Sequence, residues 1–139
     1  MFTDPNDVAR EIEELHQFFA DWYHGQAESI DRVERALADD FTMVSPSGAL
    51  VARAEVIAGI VENRGKTTIG IEVRQIQVRL IDDDEALATY EEWHHHADYS
   101  TSRQSSALFS RDSAAPHGWS WRHVHETWIT PPPARGVRR

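Results

Sequence analysis

From Thr67 onward the apolar residues recur at every second position, and the phase of that alternation reverses partway along a run. Ile69, Ile71 and Val73 are odd; Ile76, Val78 and Leu80 are even. Successive strand side chains point to opposite faces, so one inserted residue turns over everything that follows. The reversal at Arg74-Gln75 therefore predicts a β-bulge. The next run reads the same way, with Ala86, Ala88 and Tyr90 even, then Trp93, His95, Ala97 and Tyr99 odd. Asp82-Asp83-Asp84 is the hairpin between them. Two neighbouring strands that both change face predict a strongly bent antiparallel sheet. Residues 102–111 supply a third strand, with Ala107, Leu108 and Phe109.

A loop with Pro116 and Gly118 leads to the closing strand, residues 119–129, which holds three tryptophans and two histidines. Strict alternation puts Trp119, Trp121, His123, His125 and Thr127 on one face and Arg122, Val124, Glu126 and Trp128 on the other. Neither face is purely apolar or purely polar. That pattern suits a strand between a ligand cavity and a helix or second subunit.

The N-terminal third is helical in pattern. Thr3-Asp4-Pro5 is a start signal. Val8, Ile12, Leu15, Phe19 and Trp22 follow at spacings of three and four, widened by Phe18 and Tyr23, and Gly25 is the stop. A second helix is expected from Ser29 to about Asp39, a short strand over 41–44, a turn at Ser45-Pro46-Ser47-Gly48 and extended chain over 49–51. A third helix is expected from Ala54 to Asn63, with Gly59 inside it and Gly65 closing it. Helices early and strands late predict the α+β class, with helices on one face of a curved sheet.

Bulk properties narrow the function classes. A chain of 139 residues with net charge −9 does not grip nucleic acid through phosphate contacts, and its basic end, 134–139, is short. With no cysteine there is no disulfide and no thiolate metal site. No apolar run approaches the roughly 20 residues that span a bilayer, and the first residues lack a signal-peptide pattern. A soluble, cytoplasmic protein is expected, with no nucleic acid and no membrane among its partners.

Two segments carry a resemblance. Ala38-Asp39-Asp40-Phe41-Thr42-Met43-Val44-Ser45-Pro46-Ser47-Gly48 combines an acidic pair, a strand and a Pro-x-Gly turn, and Arg53-Ala54-Glu55-Val56-Ile57 follows as a helix entry. The closing strand contributes Trp121-Arg122-His123-Val124-His125-Glu126-Thr127-Trp128. Over about residues 8–129 these segments and the element order resemble the nuclear transport factor 2-like superfamily, which includes SnoaL-like polyketide cyclases and steroid delta-isomerases. The resemblance implies a cone-shaped, strongly bent mixed or antiparallel sheet wrapped around N-terminal helices. It also implies one domain over 1–130, a flexible C-terminal tail over 131–139 and a homodimer. A fold of this kind hosts enzymes, binders and association modules, so it does not choose among them.

Carried over, the cone would draw ligand-binding residues Phe18, Phe19, Trp22, Phe41, Met43, Ser45, Trp93, His95 and Trp121. The steroid isomerases resembled here need a carboxylate where this chain has Ser45 and a tyrosine where it has Phe18, and neither residue can do that work. Histidine exchanges protons near neutral pH, so His123 or His125 is the expected acid or base, with Tyr23 as a donor. Carboxylates near the histidines in sequence include Glu92 and Glu126. Glu91-Glu92 reads as a solvated bulge edge, and Arg103, Arg111 and Arg122 as partners for Glu91, Glu92 or Glu126 across the sheet. His94 with His96, and His123 with His125, have a ligand-like spacing. Two strands separated by a third lie about 10 Å apart, so no metal is expected, and no cofactor. The expected function is binding, and possible turnover, of a small, partly apolar organic molecule; the alternative is a non-catalytic association module with a filled cavity.

Overall fold

The computed structural model describes residues 3–134. Helix α1 (Pro5–Tyr23) is capped by Asp4, whose side chain accepts from the Asn6 N–H at 2.9 Å. Its stripe turns inward, burying Val8, Ile12, Leu15 and Trp22, and it ends before Gly25, whose φ of +81° disfavours any side chain. Helix α2 (Asp31–Ala36) is shorter than its sequence pattern, and strand β1 (Leu37–Val44) starts four residues earlier than expected. The cause is tertiary: Leu37 pairs with Trp121, so the backbone enters the sheet before the helical pattern runs out. Then come β2 (Leu50–Ala52), α3 (Arg53–Glu62), β3 (Gly70–Ile81), β4 (Glu85–His95), β5 (Ser100–Arg111), a 3-10 turn (Pro116–Gly118) and β6 (Trp119–Thr130). Residues 131–134 carry no regular structure, and residues 135–139 of the expected tail lie outside the described residues.

The six strands run in the order β2-β1-β6-β5-β4-β3, with β1 and β6 parallel and every other pair antiparallel. The sheet curls without closing, and its inner face packs on α1. The core joins Ile12 and Leu15 to Ala88, Phe109, Trp121 and Val124.

Where the sheet bends, its register slips. On β3 the pairing skips between Arg74 and Gln77, and Gln75 adopts a φ of +59°, the left-handed geometry of a bulge. The expected reversal at Arg74-Gln75 is therefore present. A second skip between Val78 and Leu80 turns Leu80 outward, 68% exposed.

β4 differs from expectation. It pairs with β5 without interruption, from Glu85 opposite Ser110 to His95 opposite Ser100. Burial alternates through Ala86, Ala88, Tyr90 and Glu92. There is no reversal: polar Glu92 and His94 continue the inner row, and the apparent change of phase came from large outward side chains at Trp93 and His95. β6 has the reversal that strict alternation missed. Its pairing skips between Trp121 and His123, leaving Arg122 as the extra residue. Trp119 and Trp121 face inward before the skip, Val124 and Glu126 after it.

Candidate ligand site in the cone

The hollow between α1, α3 and the sheet is a cavity of about 360 Å³. Its apolar wall comes from Leu15 and Phe19 of α1, Phe41 and Met43 of β1, Val56 and Ile60 of α3, and Trp121 and Val124 of β6. Polar groups enter from His16 and Tyr23 on α1, from Tyr90, Glu92 and His94 on β4, from Arg103 on β5 and from Glu126 on β6.

The ladders explain why these groups converge. Tyr90, Ser105 and Glu126 form one cross-strand row, and Glu92, Arg103 and Trp128 form the next. Side chains in such rows lie within reach of each other, so Arg103 sits beside Glu92 and diagonal to Glu126. Its Nη1 reaches Glu126 Oε1 at 3.3 Å, its guanidinium lies 4.9 Å over the Trp128 ring, and its Nε is buried without a hydrogen-bond partner.

His16 answers this row from the helix. Its Nδ1 donates to the Ile12 carbonyl at 2.7 Å, and its Nε2 stands 3.1 Å from Glu92 Oε1. A ring whose two nitrogens both face acceptors is an imidazolium when Glu92 is ionised. Burial works against that charge, but the Glu92 carboxylate and the Ile12 carbonyl outweigh it and raise the His16 pKa. Burial likewise opposes ionisation of Glu92, yet His16, and His94 with its Nε2 2.6 Å from Oε2, hold Glu92 well below the usual carboxylate range. Glu126 goes the other way: burial and the nearby Glu92 charge push it up to about 7, against the pull of Arg103. Of two carboxylates on one surface, Glu92 thus stays ionised while Glu126 titrates near neutral pH, the condition under which one can exchange a proton while the other stays charged. Burial also moves Tyr23 up to about 12, keeping it a neutral donor.

Glu11 supports the wall. Fully buried on α1, it takes both terminal nitrogens of Arg32, at 2.7 and 3.1 Å, and the Trp121 Nε1–H at 2.9 Å. The Trp121 indole is thereby held against Phe109, with ring centroids 4.5 Å apart.

Of the residues expected from sequence, Phe19, Tyr23, Phe41, Met43 and Trp121 line the cavity. The others lie elsewhere. Phe18 stacks on Trp22, whose Nε1 donates to the Ile60 carbonyl at 2.6 Å, so this pair joins α1 to α3. Ser45 belongs to its turn, where its hydroxyl accepts from the Ala49 N–H. Trp93 and His95 stack on the outer face, the first beneath Arg74 and the second 2.8 Å from Glu72. His123 and His125 are outside as well, because the Arg122 bulge separates them from the face of Trp121; His123 Nδ1 pairs with Thr42 Oγ1 at 2.8 Å. Glu92, read as solvated, is buried. Arg103 pairs with Glu126, one of the pairings expected. His16 was missed, although it falls within the apolar stripe between Ile12 and Phe19. Among the described residues no group of three or more histidine or acidic side chains is placed to hold a metal ion, and no helix is long and apolar enough to cross a membrane.

A bent sheet around a helix with a lined hollow at its centre defines the class: this is a nuclear transport factor 2-like cone protein. Residues 8–130 match the family model described as sucrose-6-phosphate phosphohydrolase C-terminal, and the chain belongs to that family. Among solved structures it is similar to an NTF-2-like protein of unknown function from Pseudomonas aeruginosa, with a TM-score of 0.81 and 25% identity over 88% of this chain and 98% of that one. It is also similar in fold to the S. rosetta CaMKII hub, at TM-score 0.75 and 19% identity over 93% and 100%. The C. elegans CaMKII association domain follows at 0.70 and 17% over 88% and 94%. No curated protein matches the chain.

Proposed function

We propose that the protein binds a small organic molecule, apolar for most of its length, in the cone, with Glu126 as the group that exchanges a proton with it. The observation that carries this reading is the open cavity of about 360 Å³ whose polar groups converge at Glu92, Arg103 and Glu126. A hollow of several hundred Å³ with a few convergent polar groups among apolar walls is the usual form of a small-molecule site. A sugar phosphate, suggested by the family's description, suits it poorly, because each buried hydroxyl needs a partner and most of the wall offers none. The second reading is a non-catalytic association module. It is favoured by the hub and association-domain neighbours and by the outward facing of Trp93 and His95. The open cavity argues for the ligand reading.

The test uses N-phenyl-1-naphthylamine, an uncharged aromatic probe that fluoresces in apolar surroundings. Saturable binding, lost when Val56→Trp fills the wall in a variant that still unfolds cooperatively, is the expected result. No binding, or binding indifferent to Val56→Trp, overturns the reading.

A further inference from the structure

The cone continues sideways. A second hollow of about 270 Å³ shares Tyr23, Asn63 and His94 with the cavity and is completed by Lys66, Thr67 and Ile69. Lys66 is the only lysine of a chain with net charge −9, and among the described residues it has no ion-pair partner. The carboxylates around this end of the sheet are engaged: Glu72 with Arg74 and His95, Glu92 with His16 and His94. Nor is the lysine on a loose loop. The flanking Gly65 N–H donates to the Trp22 carbonyl at 3.1 Å and the Thr67 N–H to the Tyr23 carbonyl at 3.3 Å. Arg64 adds bonds to the Ala27 and Gly25 carbonyls. Lys66 is thereby tied to the last turn of α1, beside the Tyr23 ring that walls both hollows. The Tyr23 hydroxyl has no hydrogen-bond partner among the described residues.

We propose that cone and side hollow form one site for an amphipathic organic anion, its apolar body in the cone and its charged group against Lys66 and the Tyr23 hydroxyl. This rests on the reading of the cone as a ligand site. Arg103 is the less suitable anchor. Its Nη1 is already bonded to Glu126, and an anion beside it would meet the ionised Glu92 on the neighbouring strand. At Lys66 the anion meets an uncompensated cation near water, where desolvation is small.

The test compares 1-anilinonaphthalene-8-sulfonate with N-phenyl-1-naphthylamine, the same aromatic body with and without a negative charge. The sulfonate should bind about fivefold more tightly, the scale of one partly exposed ion pair. Lys66→Gln should erase that preference while leaving the uncharged probe unchanged, and Lys66→Arg should restore it. Equal affinity of the two probes overturns the proposal, as does a preference that survives Lys66→Gln but disappears in Arg103→Met. If the uncharged probe itself fails to bind, the cone reading falls and this proposal with it; if it binds and the sulfonate shows no preference, only this proposal falls.

Discussion

His16 Nε2 stands 3.1 Å from Glu92 Oε1, and both side chains are almost wholly buried. Removing one member leaves a charge in an apolar core, which costs about 3–5 kcal/mol, whereas replacing both with apolar groups is close to neutral. His16→Phe and Glu92→Leu should each lower stability by about that amount in urea unfolding. The double variant should lose far less than the sum, and simple additivity would show that the pair is not coupled.

Glu126 should write itself into the pH dependence of stability. Its carboxyl is raised from 4.5 to about 7 in the folded protein. The folded state then holds a proton that the unfolded chain has released. The stabilising effect is full below about 4.5 and is lost as pH rises to about 7, on the order of 3 kcal/mol in all. Unfolding curves for Glu126→Gln should lack this loss between pH 5 and 7. An unchanged slope would place Glu126 at an ordinary carboxylate value. His16, Glu92, Arg103 and Tyr23 titrate or carry charge around it, so the comparison belongs in that window, away from acid titration of Glu92.

Glu11→Gln should weaken the support of Trp121 and leave the Arg32 guanidinium with only the more distant Glu14, 3.7 Å away. Losing the buried charge-assisted hydrogen bonds should cost about 1–3 kcal/mol. A thermal unfolding midpoint for Glu11→Gln equal to that of the parent protein would contradict a structural role for the Arg32 pair.

Gly59 lies inside α3 with an ordinary φ, and a Cβ there meets nothing within 4 Å. Gly59→Ala should stabilise by about 0.5–1 kcal/mol through the unfolded chain's lost freedom. A decrease in melting temperature would mean that the helix needs glycine for a close approach.

His123→Gln and His125→Gln alter the outer face alone. They should leave affinity for N-phenyl-1-naphthylamine within about twofold, measured by fluorescence titration. A large loss would restore these histidines to the site.

The outline of the cone was legible because helix stripes and strand alternation are local. Val8, Ile12 and Leu15 announce α1, and the reversal at Arg74-Gln75 announces the bend of β3. The site was legible in its apolar wall, at Phe19, Phe41, Met43 and Trp121, and at Tyr23. Of its other polar groups, Glu92 was read as surface and His16 was not singled out. In sequence a buried carboxylate such as Glu92 looks the same as a solvated one, and His16 looks like a polar residue at the margin of a helix stripe.

Element type and order were determined by the sequence itself, through periodicity, capping residues and turn chemistry. Which way the polar side chains point was decided only by the tertiary structure. One extra residue at Arg122 turns His123 and His125 out of the cone, and the absence of one in β4 turns Glu92 and His94 into it. A strand's facing reverses with a single-residue slip, and whether a slip occurs depends on the partner strand and not on the run of residues.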